Sequence, residues 1–526
     1  MKRNPKVLWL VVLVLGWLFD FLFWKQAPGV NFALFAGLCL AGGFLLLRLD
    51  QKRLAPGAVP LIALILFFAA MTFIRREPLT LALSGMSTLL LMGVLAITLV
   101  DGDWLRYTLR GYIAGVLKLG VSMLVRPLFF KREVHRERLV AGQPVRRANA
   151  WPVVRGVVIA IPVLLVFGAL LASADLVFGS RLDQLIRLLR LENLPQYVFR
   201  LAYILAAAYA LAGVFLHASG YGRTATRASA EGATPFAFLG FAETAIVLGS
   251  VVILFAAFVL VQFQYFFGGQ VNIGVEGYTY AEYARRGFGE LLVVAFFSLL
   301  LILGFSVVTR RESEMQRRLF SGLGFAVVAL VIVMLVSAYQ RLALYEAAYG
   351  FSRLRTYTNI LLIWIGILLV VVSVLEILRL ERAFATAALL AAIGFVITLS
   401  LLNVDAFIVR QNVDRAMHGE TLDTAYLASL STDSVPAVAA IYGTDSHPAS
   451  IREAMGAVLA CRVGLVTQPP SRDWRSFDLS TAQGASLIAG LKPSLDTYQY
   501  VGGEWPSHVI APGRTGEYDC QGFRPE

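Results

Sequence analysis

The chain is divided into apolar runs of the length that crosses a bilayer. A membrane-spanning helix needs about 20 consecutive, mainly apolar residues, because the hydrocarbon layer is about 30 Å thick. Stretches such as "LLVVAFFSLLLILGFSVV" at 291–308 meet that demand with no charge at all. Eleven runs qualify: 7–24, 30–47, 58–74, 79–100, 153–173, 197–219, 237–266, 288–308, 320–342, 359–378 and 383–402. In lipid no water is available to satisfy backbone N–H and C=O groups, so each run must be a helix. Only 15% of the 526 residues are charged and 58% are hydrophobic, against about 25% charged in soluble domains. The expected fold class is an all-α polytopic membrane protein with about eleven transmembrane helices and a small, mainly helical C-terminal soluble domain. The expected division is 1–150, an N-terminal membrane region with a basic loop; 151–402, a membrane core; and 403–526, the C-terminal domain.

The net charge of +12 is uneven. From Asn403 onward, nine Lys and Arg face fourteen Asp and Glu, a net of −5, which leaves +17 for the rest. Lys and Arg favour cytoplasmic loops. Here they gather at Lys2, Arg3 and Lys6, in 48–57, in 101–151 and in 309–319. All four fall on one side if the eleven runs cross. That places the N-terminus in the cytoplasm and the acidic tail outside, and it explains the basic balance without nucleic acid. The first run imitates a signal peptide, but it contains Asp20 and lacks a small-x-small cleavage site, so it reads as an uncleaved span.

Cys39 lies in a span, whereas Cys461 and Cys520 lie in the tail. An oxidising compartment would allow the tail pair to form a disulfide; two unpaired thiols are the alternative. Two segments between spans look amphipathic. "WLRYTLRGYIAGVLKLGVSMLV" at 104–125 reads as a surface helix with its cations on lipid phosphates, or as a poorly inserting span. "LDQLIRLLRLENL" at 182–194 reads as an outer interfacial helix. The tail predicts several helices, one capped near Asp478 or Ser480, and then a Gly/Pro/Tyr-rich end with room for a short hairpin.

Three stretches taken together resemble a known family: "FQYFFGGQ…GYTYAEYARRGFGEL" (263–291), "YEAAYGFSRLRTYT" (345–358) and "NVDAFIVRQNVDRAMHGETLDTAYLASLSTDSVPAV" (403–438), followed by "WRSFDLS" (474–480). They are similar to bacterial multi-pass membrane proteins described as domain of unknown function 4173, with the related 4153 group. The likeness runs from about residue 150 to 480. It implies a bacterial cytoplasmic-membrane protein and supplies no catalytic residue to carry over.

Ionisable residues at membrane depth are costly and often functional. The expected outer face collects a candidate binding cluster: Glu282, Arg285, Arg286, Glu290, Arg341, Glu346, Arg353, Arg355 and Asp405. Glu282, Arg286 and Glu290 share one helix face at four-residue spacing, the favourable order for ion pairs. Tyr278, Tyr280 and Tyr283 suit the headgroup zone, so a belt of anchors explains the same residues. Arg353 and Arg355 stand on the side where cations are sparse. Anionic lipid headgroups, or internal pairs with Glu346, Asp405 or Asp414, would account for them. Glu376 and Arg379, three apart, can pair along a helix. The sequence holds no Walker loop, G-x-S-x-G elbow or H-E-x-x-H motif, and the tail histidines match no zinc spacing. No catalytic residue, metal or cofactor is therefore assigned.

The favoured expectation is a non-enzymatic envelope scaffold or sensor with an outer C-terminal domain, in contact with the bilayer and with anionic headgroups or an envelope protein. A transporter or lipid-handling permease is the alternative. A glycosyltransferase-like enzyme ranks third, because the first outer loop, around 25–29, is tiny and carries no acid.

Overall fold

A computed structural model describes residues 5–99, 104–107, 109–140, 151–175, 178, 180–181, 193–219, 239–267, 288–380, 383–465, 473–502, 507–512 and 517–520. The membrane-region helices are α1 (Pro5–Phe23), α2 (Val30–Leu49), α3 (Ala58–Ile74), α4 (Pro78–Thr98), α5 (Leu109–Val140), α6 (Trp151–Ala174), α7 (Leu194–Ala218), α8 (Phe241–Phe267), α9 (Phe288–Val308), α10 (Glu314–Tyr349), α11 (Arg353–Ile377) and α12 (Phe384–Leu402). The tail adds α13 (Val404–Met417), α14 (Thr424–Ala428), α15 (Val435–Tyr442), α16 (Ala449–Leu465) and α17 (Leu479–Leu495), then strands β1 (Gln499–Val501), β2 (His508–Ile510) and β3 (Glu517–Asp519). The chain is an all-α polytopic membrane protein.

Among the described residues, ten helices are long and apolar enough to cross a membrane. Nine coincide with expected spans. The tenth, Gly111–Phe130, lies in the stretch read first as a surface helix. Two expected spans fall short by length: α3 has 17 residues, and in α6 the apolar stretch is Pro162–Ala174. The long 237–266 segment is unbroken helix from Phe241 onward, as α8. The expected surface helix at 182–194 lies outside the described residues up to 192.

The chain divides into two compact units, and each is described by itself. The first comprises Met1–Lys25, Leu38–Leu54 and Leu117–Tyr221. In it α1 and α7 pack along their length over Leu8, Val12, Leu15, Ala208, Ala212 and Leu216. Lipid tails are as apolar as leucine, so helices in lipid associate through close packing of small residues. Gly16 does this: a Cβ there would stand 2.6 Å from the Ile204 carbonyl and 2.9 Å from the Ala208 Cβ.

The second unit comprises Gln26–Gly37, Ala55–Val116 and Gly222–Glu526. Its membrane helices alternate in direction, so their ends gather in two sets. At one end Trp104 Nε1 donates to the Gly57 carbonyl (2.7 Å), Thr386 Oγ1 to the Leu105 carbonyl (2.8 Å) and Arg310 N–H to the Leu239 carbonyl (3.0 Å). The loop residues 26–29, 75–77 and 350–352 lie at the opposite end, with the tail. Helix α10, 36 residues long, starts from a Ser313–Gln316 capping box and stops at Gly350, whose φ of 79° suits a residue without a Cβ.

The tail follows α12 without a linker. Asn403 alone turns the chain: it takes a left-handed φ of 52°, and its side chain accepts the Ala406 N–H (3.3 Å) at the start of α13. The tail core joins Val409, Leu430, Val438, Met455, Val458 and Val509, and it continues into Leu399 and Ile360 of the membrane helices. The expected terminal hairpin is an antiparallel three-stranded sheet, and α17 is capped by Asp478, which accepts the Thr481 N–H at 2.7 Å.

Gly16→Val should lower thermal stability by about 1–3 kcal/mol through overpacking, read as a lower Tm of the detergent-purified protein. Gly249→Val, where a Cβ meets nothing within 4 Å, should leave Tm near wild type. Equal effects would show that the α1–α7 contact is not tight.

Candidate functional site

The polar side chains of the second unit are concentrated where the tail meets the helix ends. Asp405 is the centre. It sits in the first turn of α13 with no exposed side-chain surface. Arg353, the first residue of α11, grips it with two parallel bonds, Nε to Oδ1 at 2.8 Å and Nη2 to Oδ2 at 2.6 Å. This fork is the strong form of a guanidinium–carboxylate pair. The Ser431 N–H adds a bond to Oδ2 at 2.7 Å. The backbone N–H of Arg353 donates to the Tyr426 hydroxyl (2.8 Å) on α14. Arg462 of α16 donates to the carbonyls of Leu430 (2.6 Å) and Ser431 (3.2 Å) and to Ser434 Oγ (3.0 Å).

A second carboxylate pair anchors the loop between α3 and α4. Glu77 caps α4, accepting the N–H groups of Leu79 (2.9 Å) and Thr80 (2.7 Å), and it takes a further bond from the Tyr357 hydroxyl of α11. Asp433 of the tail accepts the backbone N–H groups of Arg76 and Glu77 at 2.8 Å each. Arg76 also faces Asp478 at 3.6 Å. The first loop joins the set: Ser476 Oγ donates to Gln26 Oε1 (2.8 Å), and the Val30 N–H to the Phe477 carbonyl (2.9 Å). Near α10, Asn412 bonds both backbone groups of Phe351 (2.8 and 2.9 Å), and Arg415 reaches the Ala347 carbonyl at 2.7 Å.

Burial sets the protonation behaviour of the tail groups. Asp433 is raised above the ordinary carboxylate value by burial, against the lowering effect of Ser480, the N–H groups of Arg76 and Glu77, and the nearby Arg75. Burial pushes the Arg462 guanidinium down to about 10, against the pull of Asp405. Burial also raises the Tyr426 phenol, and its bond from Arg353 opposes that.

Of the cluster expected from sequence, Arg353 and Asp405 meet directly. Arg355 instead stacks on the Tyr345 ring at 3.9 Å and bonds the Gly350 carbonyl. Glu346 accepts both its bonds from Asn359 Nδ2, at 2.8 Å. The helix breaks at Gly350, so Glu346 and Arg353 do not share a continuous helical face. Glu290 is exposed at the start of α9, and Arg341 lies on α10; both have partners. Glu282, Arg285 and Arg286 lie outside the described residues. Glu376 and Arg379 do not pair with each other: Arg379 bonds Glu314 (2.7 Å) and Glu376 bonds Arg311 (2.8 Å), because α11 ends at Ile377 and Arg379 takes a φ of 60°. The sequence reading missed Glu77, Tyr357, Tyr426, Asp433 and Arg462. Only Glu77 carried a local signal, an acceptor ahead of Pro78 and an apolar run. In the first unit, Asp20 is gripped by Arg200 (Nε to Oδ1, 3.0 Å; Nη2 to Oδ2, 2.5 Å), whose guanidinium lies 5.2 Å from the Trp24 ring centre.

Cys461 of α16 and Cys520 beyond β3 are joined by a disulfide, with Cα atoms 5.5 Å apart. The bridge pins the terminal sheet to α16. Among the described residues, no group of three or more His, Cys, Asp or Glu side chains is placed to hold a metal ion.

A family model described as a domain of unknown function (DUF4153) matches residues 62–441. The chain belongs to this family. It is one of the two groups that the sequence resembles, and the match begins well before residue 150. The DUF4153 region contains Glu77, Arg353, Tyr357, Asp405, Tyr426 and Asp433, whereas Arg462, Asp478 and the disulfide lie beyond it. No curated protein and no solved structure matches the chain.

Arg353→Ala should cost about 3 kcal/mol or more, because it leaves the Asp405 carboxylate buried without its charge partner. Adding Asp405→Asn should recover part of that loss in Tm. Strictly additive losses would mean that the pair is not coupled. Asp433→Asn tests the pH dependence. A carboxyl raised in the folded state contributes stability that is complete below its ordinary value and lost as pH rises through its folded value. Asn keeps an acceptor for the two N–H groups but does not titrate. The variant should therefore lose less Tm than wild type as pH is raised from 4 to 7. Parallel Tm–pH curves would refute the assignment to Asp433.

Proposed function

We propose that this DUF4153 protein is a non-enzymatic scaffold or sensor of the bacterial cytoplasmic membrane, with its C-terminal domain held as a rigid cap over the helix ends on the outer side. One observation carries the reading. Ion pairs and side-chain-to-backbone bonds at the junction bind the tail to three separate loops and to α11. Bonds of this kind hold two parts in register.

Two features support the outer side. The Cys461–Cys520 bridge suits an oxidising compartment. The distribution of Lys and Arg is the second: the basic N-terminus and the basic loops 48–57, 101–151 and 309–319 fall on one side when the eleven runs cross, and the tail then emerges on the other.

A single engineered cysteine tests both parts. Ser446 is exposed on the tail and Glu312 is exposed at the other end of the second unit. In intact cells a membrane-impermeant maleimide should label Ser446→Cys and spare Glu312→Cys; the reverse pattern would place the cap inside. A short thiol-to-amine crosslinker at Ser446→Cys should join the tail to a discrete envelope protein. Crosslinks only to this chain or to none would count against a scaffold.

A further inference from the structure

The "WRSFDLS" motif is left unused by the junction's ion pairs, apart from Asp478 and Ser476. Its large apolar side chains do not join the tail core. Trp474, Phe477 and Leu479 are 56%, 43% and 44% exposed. Three such residues within six positions of a soluble domain form an exposed apolar patch.

The patch has a defined height. Residues 474–476 form one turn of 3₁₀ helix between the Asp473 cap and the start of α17. The Phe477 carbonyl accepts the N–H of Val30, the first residue of α2. Gly29 lies so close beneath that a Cβ there would stand 2.6 Å from the same carbonyl. Asp478 faces Arg76, between the end of α3 and the start of α4. The motif is therefore level with the ends of three membrane helices, where hydrocarbon gives way to headgroups. Leu34, one turn into α2, is itself an exposed apolar side chain. The charges within the motif are neutralised locally: Arg475 pairs with Asp473, and Asp478 caps α17. Trp is the side chain most suited to that depth, with an apolar ring body and one N–H for the carbonyl zone.

We propose that the 474–479 elbow is a membrane-surface anchor that seats Trp474, Phe477 and Leu479 in the interfacial zone of the leaflet beside the tail. Its partner is the bilayer, recognised by amphipathic aromatic insertion and not by headgroup charge. The elbow gives the cap a second attachment, independent of the ion pairs to α11, and it goes beyond the scaffold reading because it holds for any activity of the tail.

The test uses the full chain in phosphatidylcholine vesicles. Trp474→Cys and, separately, Phe477→Cys are labelled with an environment-sensitive fluorophore, with Ser446→Cys on the same tail as the aqueous reference. The tail of each molecule carries both positions, so mixed insertion affects all probes alike. The labels at 474 and 477 should emit to the blue of the label at 446. They should lose most of their emission to a lipid bearing a nitroxide high on its acyl chain, and little to an aqueous quencher. Phe477→Cys keeps the test alive if Trp474→Cys does not fold. Emission and aqueous quenching matching those at 446 would overturn the proposal. So would shielding from both quenchers, which would mean that a protein covers the patch.

Discussion

The pair between Arg353 and Asp405 organises the second unit. A carboxylate with no solvent exposure is tolerable only with its charge and lone pairs answered. Arg353 answers from the first residue of α11, and the Ser431 N–H from the turn before α15. Those two partners fix where α13 can begin. Since α13 follows α12 after the single residue Asn403, the same pair sets the angle at which the tail leaves the membrane. Tyr426 and Arg462 then attach α14 and α16 to that fixed point, and Asp433 ties the turn before α15 to the 75–77 loop.

The bilayer explains why this polarity is collected at the ends. Helices in hydrocarbon satisfy their own backbones, and side chains gain nothing from polar groups there unless paired. The second unit therefore places its ion pairs in two tiers: Arg353–Asp405 and Arg76–Asp478 by the tail, Arg311–Glu376 and Arg379–Glu314 at the far end. Between them the packing is mainly apolar, through Leu248, Ala295, Val331 and Leu369, with one bond from Trp364 Nε1 of α11 to Thr398 Oγ1 of α12 (3.1 Å) among the described residues. The pairs differ in kind. The Arg379–Glu314 pair is more than half exposed at both partners, and such surface pairs contribute little. The tail-side acids and Glu376 are buried, so each must keep its partner.

The spans were legible because a bilayer imposes length and apolarity, which any stretch of sequence displays by itself. The stretch at 104–125 was harder, since interleaved cations and an apolar face describe a surface helix and a poor span equally well. The junction was half legible. Arg353 and Asp405 stood out as charges at helix ends, but their pairing depends on the breaks at Gly350 and Asn403. Glu77 and Asp433 were hidden for another reason. The bonds from Asp433 to the 75–78 loop span more than 350 residues of sequence, and backbone N–H donors leave no mark in the residue types. Glu376 and Arg379 misled in the opposite way, because three-residue spacing implies a pair only while the helix continues.

The architecture limits how the cap could report an event. A tail on a flexible linker could bind a partner without disturbing its membrane helices. Here one residue separates α12 from α13, and the tail core is continuous with Leu399 and Ile360. A force on the cap must then either break a buried, charge-assisted pair or move the ends of α11 and α12 with it. Breaking the pair leaves an uncompensated charge, which costs several kcal/mol, whereas small rigid shifts of packed helices cost far less. On the scaffold-or-sensor reading, the junction thus favours transmission through helix displacement over release of the tail, and the buried ion pairs are what make the cap and the membrane helices move as one body.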